Sequence, residues 1–293
     1  SILPDLFGVM TGNGNHPEIR VSEVRKRVPG SGPILILAGL FVAATFLAWY
    51  FSWFGRELSD ADISKYLLDE KNPRHVQHAL LQIQERMERS EGSAKTWYPQ
   101  LVTLSGNPET EYRLTVAWLM GFDNSSPEFH NALLKLVHDE EPIVRRNAAV
   151  ALVRFNDNSG REELVSMLKP YVLKAPADGV VASSMHESTE VNRRTPLARI
   201  QQSDGRVVEL RSPLPGRVNK IFKPNGSQIT RDEDLMSLNS DEQSVWEALR
   251  ALALVGTSDD LPVIDAYASS TDASARVKEQ ASLTAKAIRQ KSV

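Results

Sequence analysis

Six histidines, His16, His75, His78, His130, His138 and His186, are the first candidates for chemistry in this sequence. His75 and His78 stand three apart in "NPRHVQHALL", a spacing that puts two imidazoles on one helix face, as a metal site can require. No carboxylate follows at the matching turn, and no His-Glu-x-x-His pattern occurs. Surface or packing histidines are the expectation. The "GNGN" near the N-terminus has the glycines of a phosphate loop, but no strand precedes it and no helix with a lysine follows. The chain contains no cysteine, which excludes disulfides, thiolate nucleophiles, iron–sulfur ligation and covalent c-type haem. There is no nucleophile elbow, Walker loop or dinucleotide fingerprint. The acidic clusters "RDEDL" and "SDEQS" fall at turns and helix starts, where carboxylates favour the helix dipole. The sequence therefore predicts a non-catalytic chain, with no catalytic, cofactor-binding or metal-ligating residue. A net charge of −3 offers no basic field to nucleic acid.

Three changes of period along the chain show what could position side chains. The first is an uncharged run, "PILILAGLFVAATFLAWYFSWF", from Pro33 to Phe54. At a rise of ~1.5 Å per residue it would extend roughly 33 Å, enough for a bilayer core of about 30 Å. Trp49, Tyr50 and Trp53 crowd its C-terminal end, as in the aromatic belt of a helix leaving hydrocarbon. The run starts late and no small-residue cleavage site follows it, so an uncleaved anchor is expected rather than a signal peptide. Arg20, Arg25, Lys26 and Arg27 precede it, against Arg56 and Lys65 after it. The positive-inside bias puts the tail, residues 1–32, in the cytoplasm and the rest in a bacterial periplasm, with a single pass through the inner membrane at 33–54.

The second change is to a helical period. In "DEEPIVRRNAAVALVRFNDNSGREELVSMLK", Val144, Ala148, Ala151 and Leu152 recur at helical spacing, and Leu164, Met167 and Leu168 give a second stripe after a turn. The template appears 32 residues earlier in "GNPETEYRLTVAWLMGFDNSSPEFHNALLKLVHD". There Pro108 answers Pro142, Arg113 answers Arg145, and Ala117 answers Ala149, with Leu133, Leu134 and Val137 as second stripe. A fainter copy starts near Asn72. The pattern resumes after residue 240, where Val245, Ala248, Leu249 and Leu252 lead to Leu261, Ile264 and Tyr267. Such self-similarity marks a solenoid of helix pairs, each burying its apolar face on the next. These segments, about 58–169 and 241–293, resemble HEAT repeats, particularly the short phycobilisome-lyase kind. That resemblance implies an architecture for binding other proteins.

Between 170 and 240 the helical period gives way to Gly, Pro and alternating β-branched residues. "LKAPADGVV" and "LRSPLPGRV" align, with Gly179 against Gly216, Val181 against Val218, Val191 against Ile229 and Leu197 against Leu235. Each half reads strand, Gly turn, strand, turn, strand, and two such halves can interlock about a pseudo-two-fold axis. The phrasing resembles the biotinyl/lipoyl barrel-sandwich hybrid, whose carrier members present a lysine on the hairpin between the halves. Here that tip is Ser203-Asp204-Gly205-Arg206. A guanidinium does not lose its proton and so cannot be acylated in the lysine's place, and no covalent cofactor is expected. The same hybrid occurs in membrane-fusion proteins, the periplasmic adaptors, though these insert a coiled-coil hairpin that is absent here.

The fold expected is an α+β multidomain chain: one N-terminal transmembrane helix and an α-solenoid of HEAT-like helix pairs, interrupted by an all-β lipoyl-like sandwich. The expected role is a non-catalytic scaffold or accessory subunit of a larger membrane complex, in electron transfer or transport. Its partners would be the other subunits of that complex and the lipid bilayer, not nucleic acid. The alternative is a periplasmic adaptor of a transport or secretion system. Arg113, Arg145, Asp204, Gly205 and Arg206 are the residues expected to meet a partner, and Trp49, Tyr50 and Trp53 to meet the membrane interface.

Overall fold

A computed structural model describes residues 32–53 and 57–291, with side chains for 36–47 and 57–291. The chain divides into two units, Ser1–Glu57 and Leu58–Val293. In the first, α1 (Gly32–Trp53) is a helix of 22 residues. Its described side chains face outward, and Ile36, Leu37, Phe41 and Phe46 are all exposed. Among the described residues no helix is long and apolar enough to cross a membrane. The part of α1 with described side chains falls short of the ~20 residues a span takes. The span expected at 33–54 is accordingly not shown. The tail 1–31 and the side chains of Trp49, Tyr50 and Trp53 lie outside the described residues.

The second unit is a stack of helix pairs with a β insert. After α2 (Asp60–Leu67) come α3 (Pro73–Glu88) with α4 (Tyr98–Leu104), α5 (Thr110–Met120) with α6 (Pro127–Leu136), and α7 (Pro142–Arg154) with α8 (Arg161–Ser166). Beyond the insert, α9 (Glu242–Val255) and α10 (Leu261–Ser269) make another pair, closed by α11 (Ala275–Lys291). Local chemistry sets the helix starts. Proline opens α3, α6 and α7, where its missing N–H would have no partner in any case. Ser59, Ser126 and Asp241 cap α2, α6 and α9 by accepting from the N–H of Asp62, Phe129 and Ser244.

One apolar core runs from Leu58 to Ile288 through helices α2 to α11. Ala117 of α5 and Ala148 and Ala149 of α7 are fully buried, and their small side chains allow neighbouring helices to approach closely. Arg113 with Arg145 and Ala117 with Ala149 occupy equivalent positions. Pro108 and Pro142 do not: Pro142 opens α7, whereas α5 opens at Thr110 and Pro108 lies in the turn before it. Leu134 packs at the edge of the core rather than within it. Helix α9 touches both α7 and α8, so the stack continues past the insert as though the insert were absent.

The insert contains β1 (Tyr171–Lys174), β2 (Gly179–Ala182), β3 (Glu190–Val191), β4 (Pro196–Gln201), β5 (Val207–Arg211), β6 (Gly216–Ile221), β7 (Gln228–Ile229) and β8 (Asp234–Ser240). They form two antiparallel sheets, ordered β1-β8-β6-β3 and β5-β4-β2-β7. Advancing every strand by four places turns the first order into the second. Each half thus contributes strands to both sheets, and neither half has a closed core alone. The hydrogen bonds repeat the symmetry. Val181 N–H donates to the Ser227 carbonyl and Val218 N–H to that of Thr189, both at 2.9 Å. Each half has four strands rather than three, because Val191 and Ile229 sit in two-residue strands of their own. Both are buried, with Val181, Val218, Leu197 and Leu235.

The aligned glycines are required by a close approach. A Cβ on Gly179 would lie 2.3 Å from the Gln201 carbonyl oxygen, and one on Gly216 would lie 2.1 Å from that of Asn239. Gln201 and Asn239 are themselves equivalent residues of β4 and β8. In both halves the neighbouring strand's backbone fills the space a side chain would need.

Candidate functional site

A set of charged residues in the solenoid holds the repeats together. Arg113 is almost fully buried. Its Nη1 donates to the carbonyls of Asn107 and Pro108 at 3.0 and 2.9 Å, and its Nε and Nη2 grip Asp139 at 2.7 and 3.0 Å. Arg145 repeats this one pair later. Its Nη1 donates to the Asp139 and Glu140 carbonyls at 2.8 and 3.0 Å, and its Nε reaches Glu163 at 3.0 Å. Each arginine clamps the turn that leads into its own helix; Arg113 ties that turn to Asp139 at the start of the following pair, and Arg145 ties it to Glu163 on α8, the second helix of its own pair. The structure thus places both guanidiniums, candidates for partner contact, in hydrogen bonds within the stack.

A second ladder runs through the loops inside the pairs. Tyr98 donates its hydroxyl to Asp123 at 2.8 Å, His130 Nε2 meets Asp157 at 2.7 Å, and Arg161 grips Asp260 at 2.8 and 2.7 Å. Every donor sits on the second helix of one pair and every acceptor in the loop of the next. Burial alone would raise the Asp157 carboxyl, but hydrogen bonds from Ser159 and His130 hold it below its ordinary value. His130 also stacks on Phe155, and His75 stacks on Tyr66 while bonding Asp69 at 2.7 Å. Among the described residues no group of three or more His, Asp or Glu side chains converges as a metal site would need.

Three contacts seat the insert on the helices. Arg193 and Arg194, before β4, both bond Glu111 of α5, Arg194 at 2.9 Å. Arg146 of α7 is nearly fully buried and donates from Nη1 to Ser240 Oγ at 3.2 Å. Its Nε has no hydrogen-bond partner and lies 3.6 Å from Glu163. Burial pushes this guanidinium below its ordinary pKa, against the pull of Glu163 and Asp241. A cleft of about 680 Å³ separates the insert from α9, α10 and α11. Its acidic groups already have structural roles: Glu190 pairs with Arg217, Glu242 accepts from Ser274, and Asp241 caps α9.

The hairpin tip at 203–206 projects into solvent. Gly205 takes a φ of +84°, which a glycine adopts without strain, and closes the turn by donating to the Gln202 carbonyl. Arg206 Nε bonds Asp204 at 2.6 Å, so the two charges at the tip neutralise each other. Asp204, Gly205 and Arg206 thus form one exposed, self-satisfied turn.

Sequence reasoning missed Arg146, Arg161, Asp260 and the Glu111 contacts. One signal for the second ladder was available: the loops "FDNSSP" and "FNDNSG" carry Asp123 and Asp157 at matching places.

Residues 98–185, which run from α4 into the first strands of the insert, match the family model for HEAT repeats. The helix pairs are HEAT-like. An engineered protein of known crystal structure is similar at 15% identity and a TM-score of 0.40, over 78% of this chain and 79% of that one. Comparison with curated proteins gives no match.

Proposed function

We propose that this chain is a non-catalytic, membrane-anchored scaffold or accessory subunit of a larger membrane complex, acting through protein–protein contacts. The observation that carries this reading is the continuous stack of HEAT-like pairs, in which Arg113, Arg145 and Arg161 are committed to internal clamps. Stacked helix pairs of this kind present an extended binding surface. In this reading α1, uncharged from end to end and exposing large apolar side chains, is the anchor. On the same reading the tail lies in the cytoplasm of a bacterium and the folded unit in the periplasm, which the basic residues before α1 support. The insert is a lipoyl-like sandwich that serves as a second docking face. Its interlocked halves and paired glycines support that resemblance. The neutral Asp204–Arg206 tip stands where a carrier would present lysine.

The alternative, a periplasmic adaptor of a transport or secretion system, draws on the same interlocked halves beside a membrane anchor. Its halves would normally be separated by a coiled coil, and here only a short hairpin joins β4 to β5. Purification from native membranes in mild detergent, with identification of the accompanying chains, separates the two. Electron-transfer subunits are expected under the scaffold reading. A pump with several copies of this chain around it would favour the adaptor.

A further inference from the structure

Trp118 is 40% exposed on α5, whereas Trp97 in the preceding repeat is fully buried. With Leu114, Ile143 and Pro215 it walls an apolar groove of about 370 Å³ between α5, α7 and the turn before β6. The groove is open to solvent rather than an enclosed cavity that would bury most of a cofactor, and one or two side chains of a passing segment fit it. The groove lies between two rigid elements, the solenoid and the insert, and neither alone forms it.

Its charged surroundings are one-sided. Arg193 lines the groove and Arg194 follows it, and among the described residues Glu111 is the one carboxylate that pairs with both guanidiniums, leaving one positive charge over. One turn beyond Trp118, Phe122 packs edge-on against it with ring centroids 4.6 Å apart, and Arg154 lies 5.3 Å over the Phe122 ring. Arg154 donates to the Gly121 carbonyl, and among the described residues no carboxylate pairs with it. Guanidinium groups thus stand at the groove wall, on Arg193, and over the Phe122 ring that packs on Trp118, on Arg154, in a chain whose net charge is −3.

We propose that this groove docks an extended segment of a partner protein in which an apolar side chain is flanked by Asp or Glu. The apolar side chain packs on Trp118, and the carboxylates meet Arg194 and Arg154. Tryptophan and arginine are the side chains that most often dominate binding energy at protein interfaces, and arginine pairs carboxylates in a geometry lysine does not match. The proposal rests on the reading of the chain as a protein-binding scaffold and names the partner's chemistry.

Selection of phage-displayed random peptides on the full chain in detergent micelles tests it. Enriched peptides should carry acidic residues around an aliphatic or aromatic one. Their binding should weaken about ten-fold or more with Trp118→Ala and with the exposed Arg194→Gln, and should be unchanged with Leu283→Ala on α11. Absence of enrichment, enrichment of basic or uncharged peptides, or equal binding to Trp118→Ala and Arg194→Gln overturns it. Those results leave the scaffold reading standing if partner chains still accompany the protein from the membrane. Recovery of the chain alone, with such peptides selected, removes the scaffold reading and keeps the groove.

Discussion

Arg161 and Asp260 lie 99 residues apart in sequence and face each other at 2.7 and 2.8 Å, joining the last helix before the β insert to the first pair after it. The Asp260 side chain is buried, and it also accepts from the Thr257 N–H. The pair is the same rung that His130 and Asp157 make one repeat earlier, so the solenoid keeps its register across the interruption.

Arg161→Ala would leave the Asp260 carboxylate buried with the Thr257 N–H as its remaining donor. Breaking one side of such a pair costs about 2–4 kcal/mol. Amide hydrogen exchange should quicken in α9, α10 and α11 and stay unchanged in α5 and α6. Uniform acceleration across all helices would contradict a local role for this rung.

The two glycine sites should respond alike. Gly179→Ala and Gly216→Ala each force a Cβ against a strand carbonyl, at 2.3 and 2.1 Å, and each should cost about 1–3 kcal/mol through strand displacement. Urea unfolding followed on the insert checks this. A large effect at one glycine and none at the other would argue against the pseudo-two-fold relation.

Acid should loosen the clamps. Burial alone would raise the Asp139 carboxyl, but hydrogen bonds from Arg113 and the Glu141 N–H outweigh it and hold it below its ordinary 3.8. A depressed carboxylate stabilises the fold above its unfolded pKa, and that contribution is lost as pH falls through the folded value. The urea midpoint should therefore drop most steeply below about pH 4. Asp139→Asn should lower stability at neutral pH by about 2–3 kcal/mol and flatten the acid limb.

Much of the fold was legible because burial follows period. The stripe Val144, Ala148, Ala151 and Leu152 is buried as the spacing predicted, and so are Val181, Val218, Leu197 and Leu235 in the insert. The recurrence of Arg113 and Arg145 was also visible. Their inward role was not, because helical spacing places a residue on a helix but does not reveal a turn folding back over its side chain. Arg146 adjoins Arg145 yet points into the junction with the insert, a difference set by which neighbour each one meets. Trp118 reads as core within "VAWLMG". In the fold it is 40% exposed, at the groove between α5, α7 and the insert.

Strands β1 and β8 are antiparallel neighbours, with Tyr171 opposite Leu238. The chain therefore leaves and re-enters the helices at one place. Replacing 171–240 with a short Gly/Ser linker should preserve cooperative unfolding of the helices, at a modest loss from exposing Arg146. Collapse of the helical circular dichroism would show the insert to be integral to the stack.

The most direct measurement of the proposed scaffold role is native mass spectrometry of the full chain recovered in mild detergent from the membrane fraction of its native cells. A scaffold subunit should appear with further polypeptides in fixed ratio, and on denaturation its own mass should equal that of the bare chain. A single uncomplexed chain, or a covalent adduct on it, would contradict the account.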